Sequence, residues 1–311
     1  MSTPTTPHDW RALGRRLSNW GRWGADDQIG TANHITPPRV VAAAATVRRG
    51  DVFDLGIPLD DTGPQTGAGG RSNPVRLMSA IDQQHTPGAA MHYNDDQVFM
   101  PLQAGTQWDG LAHVFYDGRM YNDVPLDRVD ARGAARLGIE TLSNGIIGRG
   151  VLIDVAAHRG VDWLSAGEVI EADELDTVLA AQQTRLTPGD IVLLRTGWRR
   201  KLASDGDKAG FLDTEPGIGL SCCEWLHDHD VAAIAGDNWA VEVIPGEIPG
   251  EVFPVHMVAI RDMGMVIGEM FDLEALAQDC ARDGVFESML CAPVLKFTGG
   301  TGTPLNPLAI K

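Results

Sequence analysis

The stretch FPVHMVAIRDMGMVIGEMFDLEALAQDC, residues 253–280, decides the fold class. Pro254 suits a helix start, and Gly264 ends the apolar, 3.6-periodic run that follows it. MVIGEMF then reads as a buried strand, and Asp272 as the cap of a second helix. Helix, strand and helix within 28 positions predict mixed α/β architecture. His256 falls at a helix start and Glu269 late in the apolar strand. A carboxylate there is costly to bury unless it is paired or binds a cation.

The rest of the chain repeats this alternation. GDVFDLGIPL (50–59), GVLIDVAA (150–157), GDIVLLRTG (189–197) and VAAIAGDN (231–238) are short apolar, β-branched runs bounded by turn residues, and are expected to be buried strands. Helices are expected over 34–50, with Pro38 near the start and Gly50 as the stop, over 171–183, and over 221–230. In the last, Ser221 and Glu224 have capping-box spacing. Residues 60–95, rich in Gly, Pro, Asn and Asp, read as a long functional loop. No repeat or low-complexity linker divides the 311 residues, so one domain is expected over 1–311, with an N-terminal arm of about 30 residues.

Composition excludes several classes. The net charge of −17, from 42 acidic and 25 basic residues, repels nucleic acid and anionic membranes. No run approaches a membrane span, and MSTPTTPHDWRALGRR lacks the apolar core of a signal peptide. The four cysteines, 222, 223, 280 and 291, have no CxxC spacing and read as reduced thiols. A cytoplasmic protein is expected.

A second stretch carries the chemistry. In PLQAGTQWDGLAHVFYDG (101–118), an extended 101–109 puts Gln103, Gly105, Gln107 and Asp109 on one face, and His113 keeps their parity. A solvated polar face gives the same pattern. Trp20, Trp23, Trp108, Asn238 and Trp239 are candidates for an aromatic-walled pocket with a polar handle. His92, in the loop, reads as a surface histidine, with a role as an added imidazole ligand as the alternative. HDHD (227–230) reads as a solvated helix face, since positions i and i+2 do not meet. GGTGTP (299–304) lacks the Lys-Ser/Thr of a phosphate loop and reads as turn chemistry.

From NWGRWGADDQIGTANHITPPRVV through GTQWDGLAHV, GDNWAVEVIP and VHMVAIRDMGMVIGEMFDL to GGTGTPLNPLAI, the chain resembles the cyclase-like metal-dependent hydrolases, which include bacterial kynurenine formamidase and isatin hydrolase. The family motif is H-x-G-T-H-x-D-x-x-x-H, completed by a later His and Glu. Here the two leading histidines are Gln103 and Gln107, whereas Asp109, His113, His256 and Glu269 match. The resemblance implies a single swivelling β/β/α domain of α/β (α+β) class and a homodimer or homotetramer.

It also implies one divalent metal, manganese or zinc, held by Asp109, His256 and Glu269 with Gln107 as a weak ligand. His113 is the implied proton-transfer group. Trp23, Gln103, Trp108, Asn238 and Trp239 are left as substrate contacts. The implied reaction is hydrolysis of a small cyclic amide, lactone or formamide. A cyclase or dehydratase of an aromatic natural-product pathway is one alternative, and a non-catalytic small-molecule binding protein that has lost its metal is the other.

Overall fold

A computed structural model describes residues 9–311. Its centre is a nine-stranded mixed sheet. The strands are β1 (Val52–Asp54), β2 (Gln107–Asp109), β3 (Ile147–Asp154), β4 (Ile191–Arg195), β5 (Ala233–Gly236), β6 (Val266–Glu269), β7 (Glu287–Cys291), β8 (Gly302–Pro304) and β9 (Leu308–Ile310). Their order is β1-β9-β7-β3-β4-β5-β6-β2-β8. The middle four, β3-β4-β5-β6, are parallel, and the flanking pairs are antiparallel.

Strands β4, β5 and β6 are buried along their whole length. That is why they read as unbroken apolar runs rather than as alternating ones. Helices Ala172–Ala181, Ser221–Asp228 and Glu274–Asp283 bury their apolar faces in one continuous core, and helix Pro37–Ala44 lies against β3 and β7. This is the mixed α/β arrangement expected from residues 253–280.

That stretch folds largely as read. The helix opens at Pro254, widens into a π-helical segment over Met257–Met263, and stops at Gly264 with φ 71°. A Cβ at Gly264 would lie 2.4 Å from the Tyr121 ring, so both conformation and space require glycine. The carboxylate of Asp272 accepts the Glu274 amide, at the start of the next helix.

Residues 9–30 of the expected arm lie against their own chain. Asp9 caps helix Trp10–Arg16, and Trp10 packs edge-on against Tyr116. Asn19 and Trp20 donate to the carbonyls of Met263 and Arg261. These bonds clamp the π-helical segment that follows His256. Among the described residues no helix is long and apolar enough to cross a membrane.

Other expectations need correcting. Residues 60–95 are not one loop, because Val75–Gln84 and His92–Phe99 pair as an exposed antiparallel hairpin with register shifts. Its apolar residues find no second layer within one chain, so the alternation that marks a strand is missing. The 34–50 helix ends at Ala44, and Gly50 belongs to a later turn. Ser221 does not cap its own helix. Its hydroxyl accepts the Ala172 amide and donates to Glu171, at the start of a neighbouring helix. In 299–304, Gly302–Pro304 forms edge strand β8, where a proline is tolerated.

Candidate metal and catalytic site

The antiparallel pairing of β2 with β6 builds the site. Glu269 lies opposite Gln107, and Ile267 opposite Asp109. The two-residue period puts Gln107, Asp109 and Glu269 on one face and Trp108 on the other. Trp108 fills the space that a side chain at position 268 would need. A Cβ on Gly268 would come within 2.6 Å of the indole. His256 reaches the same point from the helix start, with Nε2 3.5 Å from Glu269 Oε1.

One ligand atom each from Asp109, His256 and Glu269 lies within 4.8 Å of the others, and all three residues are buried. Asp109 Oδ2 and Gln107 Oε1 are buried and have no hydrogen-bond partner. Leaving such a group unpaired costs about 1–3 kcal/mol. The Gln107 amide nitrogen sits 2.6 Å from Glu269 Oε2 and 3.2 Å from Asp109 Oδ1. Rotating the amide would turn its oxygen to the same centre. Two carboxylates, one imidazole and an available amide oxygen are donors that suit a divalent cation.

Glu242, which sequence reasoning missed, fixes His256. It is buried, and its Oε1 accepts both the His256 amide at 3.0 Å and ring Nδ1–H at 2.5 Å. Its Oε2 accepts the Val255 amide at 3.1 Å. Nδ1 therefore carries a proton, and Nε2 faces the centre, the orientation a metal-binding histidine needs. Burial alone would push this imidazole down, but hydrogen bonds to Glu242 and Glu269 raise it to about 10. Burial and the nearby Asp109 charge raise Glu269. A cation at the centre would replace the proton that these groups share.

A small cleft of about 50 Å³ opens beside the triad, lined in part by Arg71, His113, Trp239 and Phe253. His113 Nε2 is 3.7 Å from Asp109 Oδ1 and 3.4 Å from Arg71 Nη2. A guanidinium can only donate, so Nε2 accepts and the ring is neutral there. Burial lowers the His113 pKa, Asp109 opposes, and Arg71 and His256 lower it further. The ring is thus a base at neutral pH.

Backbone strain concentrates around the same point. Val241, Phe253 and Met270 have φ of 62°, 58° and 58°. Each adjoins or leads into a site residue, Glu242, the Pro254–His256 turn or Glu269. Such conformations cost of order 1–3 kcal/mol apiece and gather at functional sites.

The structure therefore brings together Gln107, Asp109, His113, Trp239, His256 and Glu269, and leaves other candidates outside. Gln103 lies in a turn rather than in the strand, which starts only at Gln107, and its amide faces Thr301 Oγ1 at 3.4 Å. Trp108 is fully buried and donates to the Ala292 carbonyl. Asn238 is also buried, bonding Pro216 and the Val241 amide, and so shapes the turn beneath Trp239.

Trp23 packs against His34, and Trp20 under Arg261, both away from the cleft. His92 pairs with Asp82 on the exposed hairpin. Burial raises the thiols of Cys222 and Cys223, which leaves them protonated and poor nucleophiles. Arg71 and Phe253 were missed, and no local pattern marks either.

A family model described as "Putative cyclase" matches residues 53–243. The crystal structure of a novel cyclase matches with TM-score 0.88 at 38% identity, covering 95% of this chain and 100% of that one. Isatin hydrolase A from Ralstonia solanacearum matches with TM-score 0.64 at 21% identity, over 89% of this chain and 99% of its own. An isatin hydrolase bound to the product analogue thioisatinate gives 0.63 at 18% identity, over 88% and 98%. The two hydrolases show likeness of fold. No curated protein matches the chain. With a family model over more than half of its length and a 38%-identical cyclase along nearly all of it, this chain belongs to the cyclase family.

Proposed function

We propose that the protein is a metal-dependent hydrolase of a small cyclic amide, lactone or formamide. The observation that carries this reading is the buried cluster of Asp109, His256 and Glu269, with an unpartnered carboxylate oxygen, set beside a neutral histidine. The three residues would hold one divalent ion, manganese or zinc, with Gln107 Oε1 as a weak further donor. When bound, such an ion acidifies water toward a pKa of about 7 and polarises a carbonyl.

The chain's own groups then divide the proton work. His113 Nε2 takes a proton as the water oxygen bonds to the carbonyl carbon. It returns that proton to the leaving nitrogen or oxygen as the second bond breaks. Trp239 and Phe253 wall the cleft and exclude bulk water, and Glu242 holds His256 in orientation. Four free cysteines, three of them buried, agree with a cytoplasmic protein. The exposed apolar hairpin residues Leu77, Ile81, Val98 and Phe99 favour a homo-oligomer.

The test is mass analysis of products after incubating metal-reconstituted protein with isatin, simple lactones and aryl formamides. Hydrolysis adds one water to a ring-opened product, or splits a formamide into formate and an amine. A new product of unchanged mass, or loss of one water, supports the cyclase or dehydratase alternative. Tight binding without turnover would support a binding protein.

A further inference from the structure

We propose that Arg71 is the substrate-recognition residue of this cleft, and that the substrate carries a carboxylate near its scissile carbonyl. The inference rests on the hydrolytic reading of the site. Arg71 lines the cleft opposite the acidic cluster, with its guanidinium 5.6 Å from the centre of the Trp239 ring and Nη2 3.4 Å from His113 Nε2. Among the described residues no carboxylate lies within 4.0 Å of it, although the chain is strongly acidic. A half-buried guanidinium held only by a ring face and a neutral imidazole has most of its five donors free.

Its placement is built into the fold. Gln65 donates to the Ala104 carbonyl, just before β2, and Asn73 ties the loop closed through Gln65 and Asp61. Arg71 sits between these anchors. Of the groups lining the cleft, Asp109 and Glu269 would be balanced by a divalent ion, which leaves Arg71 as the one uncompensated charge. No second Lys or Arg lines the cleft, so a doubly charged phosphate would be under-neutralised. A single planar fork matches one carboxylate. Engaging that carboxylate draws Arg71 from His113 Nε2 and frees the nitrogen that takes the proton.

Calorimetry with benzoate and its neutral isostere benzamide, on metal-loaded and chelator-treated protein, tests the recognition step. The metal-loaded wild type should prefer benzoate by about tenfold or more, and the chelator-treated protein, with Asp109 and Glu269 unbalanced, by less. Arg71→Leu should lose that preference, and Arg71→Lys should keep part of it. Equal affinities in the wild type, or a preference that survives Arg71→Leu, overturn the proposal.

The second arm compares hydrolysis of 4-nitrophenyl acetate with that of mono-4-nitrophenyl succinate, which carries a free carboxylate. Arg71→Leu should raise KM for the succinate ester by about tenfold, with no matching rise in KM for the acetate. Equal losses on both would mean that Arg71 serves the newly formed carboxylate, which overturns the substrate assignment. If no hydrolysis occurs while the benzoate preference holds, the hydrolase reading fails and carboxylate recognition stands.

Discussion

Replacing Glu242 by Gln keeps the volume of the side chain and removes its charge, so it isolates what this residue does for His256. Glu242 accepts three hydrogen bonds, two at Oε1 from the amide and ring of His256 and one at Oε2 from the Val255 amide. A glutamine can keep the pair at Oε1 only by turning its own NH₂ toward the Val255 N–H, so at least one bond is lost. The imidazole also loses the anion that makes Nε2 a better donor. Hydrogen bonds to charged groups contribute about 1.5–3 kcal/mol. At 1.4 kcal/mol per tenfold, that is roughly a 10–100-fold loss of metal affinity, the usual scale for such outer partners. Competition with a chelating dye for manganese and zinc measures it, and the melting temperature of metal-free variant checks that the fold survives. Affinity within about twofold of wild type in a folded variant would refute the claim that Glu242 orients the ligand.

Three further outcomes are expected. His113→Ala should lower turnover by roughly 10²–10⁴ and leave metal content near normal, and loss of metal together with activity would make His113 a ligand. Asp279 is held at about 2 because Lys311 and Arg49 outweigh the burial that would raise it. A depressed carboxylate stabilises above its unfolded pKa and loses that contribution as pH falls through about 2. Urea midpoints between about pH 5 and 2 should therefore fall more steeply for wild type than for Asp279→Asn, and parallel curves would contradict this. Leu77→Asp with Phe99→Asp should reduce the mass seen by light scattering, and a wild-type monomer would remove the oligomer proposal.

The sequence was legible where one element carried the information. Residues 253–280 fold as helix, strand and helix because caps and an apolar strand are local signals. The two-residue period put Gln107 and Asp109 together. The same period places Trp108 on the opposite face, so its burial in the core was already implied. Gln103 was misplaced because extension starts only at Gln107, where β6 and β8 supply partners on either side.

Glu242 and Arg71 were illegible for another reason. Glu242 meets His256 across a turn held by buried Glu215, which accepts the Trp239 and Ala240 amides. Arg71 reaches His113 across 42 positions from a loop with no period at all. The hairpin was read as loop because its apolar residues have nothing to pack on within one chain.

Elemental analysis of the protein purified without chelator, and again after reconstitution with manganese or zinc, tests the central claim most directly. One tightly bound ion per chain is expected in the wild type, and most of it should be lost in Asp109→Asn and in Glu269→Gln. Full occupancy in both variants would contradict the assignment of the ligands. Two tight ions in the wild type would show that Gln103 and Gln107 had not removed a second metal position.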